Sequence, residues 1–335
     1  MHKLILLTLC FFMAFTLTLQ SEGKKEGGAE DVIVVKVAHV NPPGDPSYEA
    51  WEFFKKLIEE KSKGRFKINL YGAGQISMDE RELIEQAKVG SLDIVSANVA
   101  PVALHFKKFD IFNLPYLWRD EQHIFNFCDG PAGKQLAEEF EKAVGIELLA
   151  YWDNGVRNCF HRKKPLTTPD EFKGQKIRVM NNDVYITFFA ALGANPMPMA
   201  YGEVYTALQT GVVDIADNDT SGYRAMKFYE VAPNYSLTAH TIMPKIVLAS
   251  QSFMAKLPAD LKPVFDEAVQ ETLKFQRETY VNARLKDIQW MKDQGINVYE
   301  VKNLKPFQEI ARTSVWVKYE DAIGKELIEK AINTK

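Results

Sequence analysis

The sequence predicts an α/β fold in two lobes, braced by one long helix. Three observations predict it. Strand-like and helix-like segments alternate over residues 31–98, the pattern of a sheet with parallel strands. A faint internal repeat relates residues 82–94 to residues 203–215. Residues 259–294 run without a glycine. The chain has 335 residues, more than one ordinary core organises.

The elements follow in order. "DVIVVKVAHV" (31–40) is a continuously apolar strand. "YEAWEFFKKLIEEKSKG" (48–64) carries Trp51, Phe54, Leu57 and Ile58 at helical spacing. "RFKINLY" (65–71) is a second strand. "MDERELIEQAKVG" (78–90) is a helix with acidic residues at its start and Gly90 at its end. "SLDIVSAN" (91–98) is a third strand. "AYWDNGVRNCF" (150–160) is a strand and turn, and "KIRVM" (176–180) is a short strand. The repeat pairs "ELIEQAKVGSLDI" with "EVYTALQTGVVDI": each half is a helix closed by glycine that feeds a strand with a polar end, "SAN" (96–98) and "DND" (217–219). Ligands of open α/β sheets bind outside the carboxyl ends of strands, so both polar ends are candidates to face one cleft. Residues 259–294 form a helix that tolerates Pro263 in its first turn. At ~1.5 Å per residue it spans about 54 Å, enough to brace both lobes. "INVYEV" (296–301) is a last strand, and a terminal helix covers 304–333.

The N-terminus reads separately. Met1-His2-Lys3, an uncharged apolar run to Leu19 and a polar, Gly-rich stretch describe a signal peptide (1–20) and a tether (21–31). An exported, periplasmic or extracytoplasmic protein is expected. Cys10 is flanked by large residues, unlike a lipidation site. Cys128 and Cys159 read as buried free thiols.

A net charge of −3 gives no support to nucleic-acid binding. Gly72 and Gly74 mimic a dinucleotide loop, but Ser77 stands where the third glycine is needed. The histidines at 39, 105, 123, 161 and 240 lack metal-ligand spacing, and hydrolase motifs are absent. No metal and no cofactor are expected.

Arg178 is the informative residue. Strand alternation puts Lys176, Arg178 and Met180 on one face and Ile177 and Val179 on the other. A buried guanidinium needs an anion, and Arg suits a two-pronged grip on a carboxylate. The bland reading pairs it internally with Asp153 or Asp214. A second apolar-flanked arginine, Arg157, and the strand end Asp217-Asn218-Asp219 point instead to convergence on one external anion.

These stretches, with "RELIEQAKVGSLDI", "FDIFNLPYLWRDE", "TTPDEFKGQKIRVM", "ALGANPMPMAYGEVYTALQTGVVDIADN" and "FYEVAPNYSLTAHTIMP", resemble the solute-binding proteins of tripartite ATP-independent periplasmic (TRAP) transporters, dicarboxylate-binding type, over about residues 35–275. The resemblance implies a two-lobed clamshell like that of periplasmic binding proteins. Lobe I would be 32–154 plus about 243–283, and lobe II 155–242 plus about 284–335. It implies a binding protein, not an enzyme: a monomer that carries a small organic acid to small and large membrane permease subunits. Arg178 falls on the family's carboxylate-binding arginine, Arg157 on a second and Asn218 on its asparagine. Ile215, Asp217 and Asp219 depart from the family pattern. The segment 216–243 is similar to members that bind sugar acids such as hexuronates. Asp219 would accept a hydroxyl hydrogen bond and repel a second carboxylate, which favours a hydroxylated monoacid over a C4-dicarboxylate; a C4-dicarboxylate or keto acid is the alternative. His39, Glu80, Ser96, Asn98, Trp152, Tyr201, Glu203 and His240 complete the candidate contacts. The rival from another class is an exported enzyme on sugar acids, with His240 or Asp217 as general acid or base.

Overall fold

The structure, a computed structural model, describes residues 32–335; the expected signal peptide (1–20) and tether (21–31) lie outside the described residues. One sheet of nine strands organises the chain in the order β2-β1-β3-β8-β4-β7-β5-β6, with β9 paired to β8. The strands are β1 (Ile33–Ala38), β2 (Phe66–Tyr71), β3 (Ile94–Asn98), β4 (Ile146–His161), β5 (Lys176–Val179), β6 (Asn195–Pro198), β7 (Ile215–Asn218), β8 (Asn234–Ser250) and β9 (Asn297–Glu300). The flanking groups β1–β2–β3 and β6–β5–β7 are parallel, as the alternation predicts. The long strands β4 and β8 are antiparallel to each other and to their neighbours β3 and β7. Sequence reading saw a strand and turn over 150–160 of β4, missing its first residues, and no strand in β8.

Those two strands join the lobes. Residues 245–249 of β8 pair with β3, and residues 234–237 pair with β9. Residues 158–161 of β4 pair with β7. Between its halves β4 slips register from Asp153 to Val156. Gly155 supplies the turn with φ +69, a conformation that costs other residues strain. The bend is held from behind: Gln276 accepts from Asp153 N at 2.7 Å and donates to Asp153 O at 2.7 Å. Gln276 belongs to the long helix, Lys262–Asp293. Phe265 and Ala268 of that helix pack with Trp51, Phe54 and Trp152. Its Met291 packs with Phe160, Tyr223 and Tyr235. The helix therefore braces both halves of the sheet, as predicted.

The repeat has a physical basis. Asp93 Oδ2 accepts from Lys36 N at 2.7 Å, and Asp93 N donates to Lys36 O. Asp214 Oδ2 accepts from Lys176 N at 3.0 Å, and Asp214 N donates to Lys176 O. Each aspartate pins its loop to the strand beside it, β1 or β5. Each loop follows a glycine with positive φ, Gly90 or Gly211. The polar ends Asn98 and Asn218 are thus placed by one device used twice.

The predicted terminal helix is divided. It runs Lys305–Ile310, widens to a π-helix at Ala311–Trp316, continues Val317–Ile323, and breaks at Gly324 (φ +100) before Lys325–Asn333. It clips distant segments together: Trp316 Nε1 donates to Pro115 O, His123 Nε2 meets Ala331 O at 2.8 Å, and Tyr319 OH meets Thr187 Oγ1 at 2.8 Å. Cys128 and Cys159 are free and buried. No helix among the described residues is long and apolar enough to cross a membrane.

Candidate functional site

A cavity of about 130 Å³ lies where the carboxyl ends of β3, β5 and β7 meet the bend in β4. An engineered cavity of about 150 Å³ holds benzene, so the space suits a small organic molecule. Arg178, Arg157, Tyr201, Asn218 and Asp219 line it from β5, β4 and β7 and the segments after them. Glu80, Asn98, Asn41, Asp45 and Lys245 line it from the β1–β3 side.

Arg178 sits in β5 as alternation requires. Ile177 and Val179 are fully buried in the core, and Arg178 turns to the cavity with 4 % exposure. Its Nε and Nη2 donate to Met199 O at 3.2 and 2.9 Å. Three of its five N–H donors remain. No ion pair to Arg178 occurs among the described residues. The internal partners considered above are otherwise engaged: Asp153 Oδ1 accepts from Gly155 N at 2.8 Å, and Asp214 holds Lys176 N. Burial pushes the Arg178 pKa down to about 10, and the neighbouring Arg157 adds to the fall. This is a desolvated cation without a carboxylate.

Arg157 is different. Its Nε donates to Asp217 Oδ2 at 2.5 Å, its Nη2 to Asp217 O at 2.5 Å and its Nη1 to Asn218 Oδ1 at 3.1 Å. Burial works against its charge, but Asp217 outweighs burial and holds the pKa above the ordinary value. Burial likewise raises the Asp217 carboxyl, and Arg157 more than reverses it. Arg157 therefore arrives already paired, with two donors left for a ligand. Asn218 is fixed on both sides, accepting from Arg157 and donating to Tyr201 OH at 3.0 Å. Asp219 caps the helix Thr220–Ala225 through Ser221 N and Gly222 N. Burial, then the charge of Asp45, raises its pKa to about 7.

On the opposite wall, Glu80 accepts from Asn98 N and from Asn98 Nδ2 at 3.1 and 2.9 Å. Lys245, 1 % exposed, donates to Asn41 Oδ1 at 2.8 Å and lies 3.9 Å from Glu80 Oε1. Asp45 caps the helix Pro46–Lys61 and accepts from Asn41 Nδ2 at 2.8 Å. Asn154, in the β4 bend, reaches Asn98 Oδ1.

Five candidate contacts fall outside the cavity wall. His39 is buried beneath Gly72, against Trp51 and Tyr48, and burial, then Lys245, lowers its pKa to about 3. Ser96 accepts from Trp51 Nε1. Trp152 packs on Trp51 with ring centroids 4.7 Å apart. Glu203 turns back to cap Ala200 N. His240 stands behind Asp217, Nε2 to Oδ2 3.3 Å. These side chains serve packing, hydrogen bonding and capping within the fold rather than the cavity. Several polar wall residues escaped sequence reading, among them Asn41, Asp45, Asn154 and Lys245. Lys245 carried the same signal as Arg178, a cation inside the apolar run "IMPKIVLA".

Cys159, His240 and Asp217 sit in the order of a catalytic triad, with Sγ 3.9 Å from Nδ1. The arrangement is inert. The thiol is fully buried, and burial lifts its pKa well above the ordinary value. His240 Nδ1 is engaged by Thr238 Oγ1 at 3.0 Å, and Thr238 accepts from Cys159 N. The nominated acid or base, His240 or Asp217, does not line the cavity.

Comparison with known proteins agrees with the geometry. Residues 37–321 match the family model "Bacterial extracellular solute-binding protein, family 7". The chain is 34% identical to a C4-dicarboxylate-binding periplasmic protein of Rhodobacter capsulatus over 78% of both chains. It is 31% identical, with a TM-score of 0.86, to a TRAP periplasmic solute-binding protein of Roseobacter denitrificans solved with β-D-glucuronate, covering 90% of this chain and 100% of that one. A TRAP solute-binding protein of Sulfurospirillum deleyianum solved with succinate aligns at 29% identity and TM-score 0.85, over 90% and 99%. The chain belongs to bacterial extracellular solute-binding protein family 7: it is a two-lobed TRAP-type solute-binding protein, not an enzyme.

Proposed function

We propose that this protein is the extracytoplasmic subunit of a TRAP secondary transporter and captures a sugar acid, with a hexuronate favoured, for delivery to the small and large membrane permease subunits. The single observation that carries the reading is Arg178, a buried guanidinium at the cavity without a carboxylate partner among the described residues. A ligand carboxylate supplies the missing anion by charge-assisted, two-pronged hydrogen bonds. Arg157 and Asn218, already locked together, orient it. Lobe I (32–154 and about 243–283) and lobe II (155–242 and about 284–335) close about the β4 bend at Gly155. Ligand shifts open to closed as far as it prefers the closed form.

Asp219 and Asp45 on the wall favour a hydroxylated monoacid, since carboxylates accept from hydroxyls and repel a second carboxylate. The relative that holds glucuronate supports this reading. A C4-dicarboxylate is the second reading, favoured by the relative that holds succinate and by Lys245 as a further cation, on the wall away from the two arginines. The test is thermal unfolding of the mature protein against hexuronates, aldonates, 2-keto acids and C4-dicarboxylates. Ligand at a hundredfold its Kd adds ~2.7 kcal/mol, a shift of several degrees. A shift with sugar acids that is lost in Arg178→Ala supports the proposal. No shift with any acid, or a shift that survives in Arg178→Ala, ends it.

A further inference from the structure

We propose that Lys245 and Glu80 form a diol-reading subsite that selects polyhydroxylated acids over simple ones. The inference rests on the organic-acid reading above and names what recognises the far end of the ligand. Lys245 is buried in β8, directly opposite Asn98 of β3. Its ammonium lines the cavity from the wall that faces Arg178. Of its three donors, one goes to Asn41 Oδ1 at 2.8 Å. Glu80 Oε1, at 3.9 Å, is beyond hydrogen-bond reach. A buried cation therefore stands beside a buried carboxylate with both groups incompletely used.

That spacing has a chemical meaning. Asn98 spends its backbone N–H and side-chain amide on Glu80, which locks the carboxylate in place. A donor and an acceptor fixed 3.9 Å apart match two adjacent hydroxyls, one accepting from Lys245 and the other donating to Glu80. A second carboxylate fits poorly here, because Glu80 already compensates the lysine and Asp45 lies close enough to feel its charge. Arg178 differs in having no ion pair among the described residues: Asp217 and, more weakly, Glu80 reach it only through their fields. The two walls thus divide the work: an unpaired guanidinium takes the charged end, and a compensated lysine–glutamate pair reads the neutral, hydroxylated end. The selectivity follows from leaving this buried pair unsatisfied when the ligand lacks hydroxyls.

Isothermal titration of wild type, Lys245→Met and Lys245→Gln with D-glucuronate, D-gluconate, succinate and glycolate tests this. Unliganded melting curves verify that each variant is folded. Lys245→Met is expected to weaken the two polyhydroxy acids at least tenfold and to change glycolate less than threefold. Lys245→Gln, which keeps a donor, should recover part of the loss. Equal losses for all four acids, or none, overturn the subsite. A loss larger for succinate than for glucuronate also overturns it, by making Lys245 a carboxylate ligand. If both variants prove unfolded, Glu80→Gln is measured instead, with the same selective loss expected and the same results refuting it. Failure of every acid to bind wild type removes the organic-acid reading and this inference together; binding indifferent to Lys245 and Glu80 removes only the inference.

Discussion

Replacing Arg178 with methionine should destroy ligand binding and leave the unliganded protein slightly more stable. The magnitude comes from the site. Burial takes the guanidinium pKa to about 10, from a usual value above 12. Each tenfold loss of proton affinity is ~1.4 kcal/mol, so the folded protein carries roughly 3 kcal/mol of penalty for this charge. The folded pKa lies below the unfolded one, so the penalty is full at neutral pH and relaxes only as pH rises above about 10. Against it stand two hydrogen bonds to Met199 O. Losing both leaves that carbonyl short of partners, a cost of about 1–3 kcal/mol. The net expectation is a gain of roughly 1 kcal/mol, about 2 °C in a chain of this size. Ligand affinity should meanwhile fall at least about thirtyfold, since a buried charge pair loses ~2–5 kcal/mol when one partner is truncated. Calorimetric melting with and without D-glucuronate reads both effects. A variant that is destabilised by more than about 1 kcal/mol without ligand refutes the argument, because Arg178 would then be a satisfied structural residue.

Arg157→Met should behave in the opposite way: it strands Asp217 in the core, and about 3–5 kcal/mol of stability is lost, visible as a lower melting temperature with or without ligand. Asp219 has a raised pKa of about 7, so the folded state holds its proton more tightly than the unfolded chain, and its contribution falls as pH rises from about 4 to 7. His39, with its pKa near 3, slopes the other way between about 3 and 6.5, so the test is a difference. Asp219→Asn, which keeps a helix cap, should gain stability relative to wild type steadily from pH 4 to 7; a flat difference rejects the shift. Gly155→Ala should cost about 1–3 kcal/mol, because φ is +69 and an added Cβ would stand 2.7 Å from Asp219 Cβ; an unchanged melting temperature would mean that the bend relaxes freely.

How far the sequence revealed the fold depended on the range of the interactions. Helix Glu80–Lys88 and helix Val204–Thr210 announced themselves through spacing and a closing glycine, which are local signals. The repeat was legible because Asp93 and Asp214 each perform the same local pinning. The strand β8 was not legible. Its residues are buried on both faces in long stretches, so alternation is lost, and its two halves serve different neighbours, β3 and β9. At the site, cations in apolar strands were readable and contact partners were not. His39, Ser96 and Trp152 were reasonable polar or aromatic candidates near strand ends, yet only the packing of Trp51 decides that all three face the core.

The contrast between the two arginines is what separates scaffold from receptor. Both are almost wholly buried, both stand in strands among apolar neighbours, and both line the cavity. Sequence reading treats them alike. The difference lies in Asp217, which the β4–β7 register sets opposite Cys159, beside Arg157. Pairing Arg157 internally fixes Asn218 and, through it, Tyr201, so the orienting groups are rigid before ligand arrives. Leaving Arg178 unpaired stores an unmet demand for an anion in the same wall. Preorganised neighbours around an unsatisfied charge bind more tightly than either a flexible site or a neutralised one, because neither ordering nor ion-pair breaking opposes capture. The instability that Arg178 brings to the empty protein is therefore part of its affinity for the filled one.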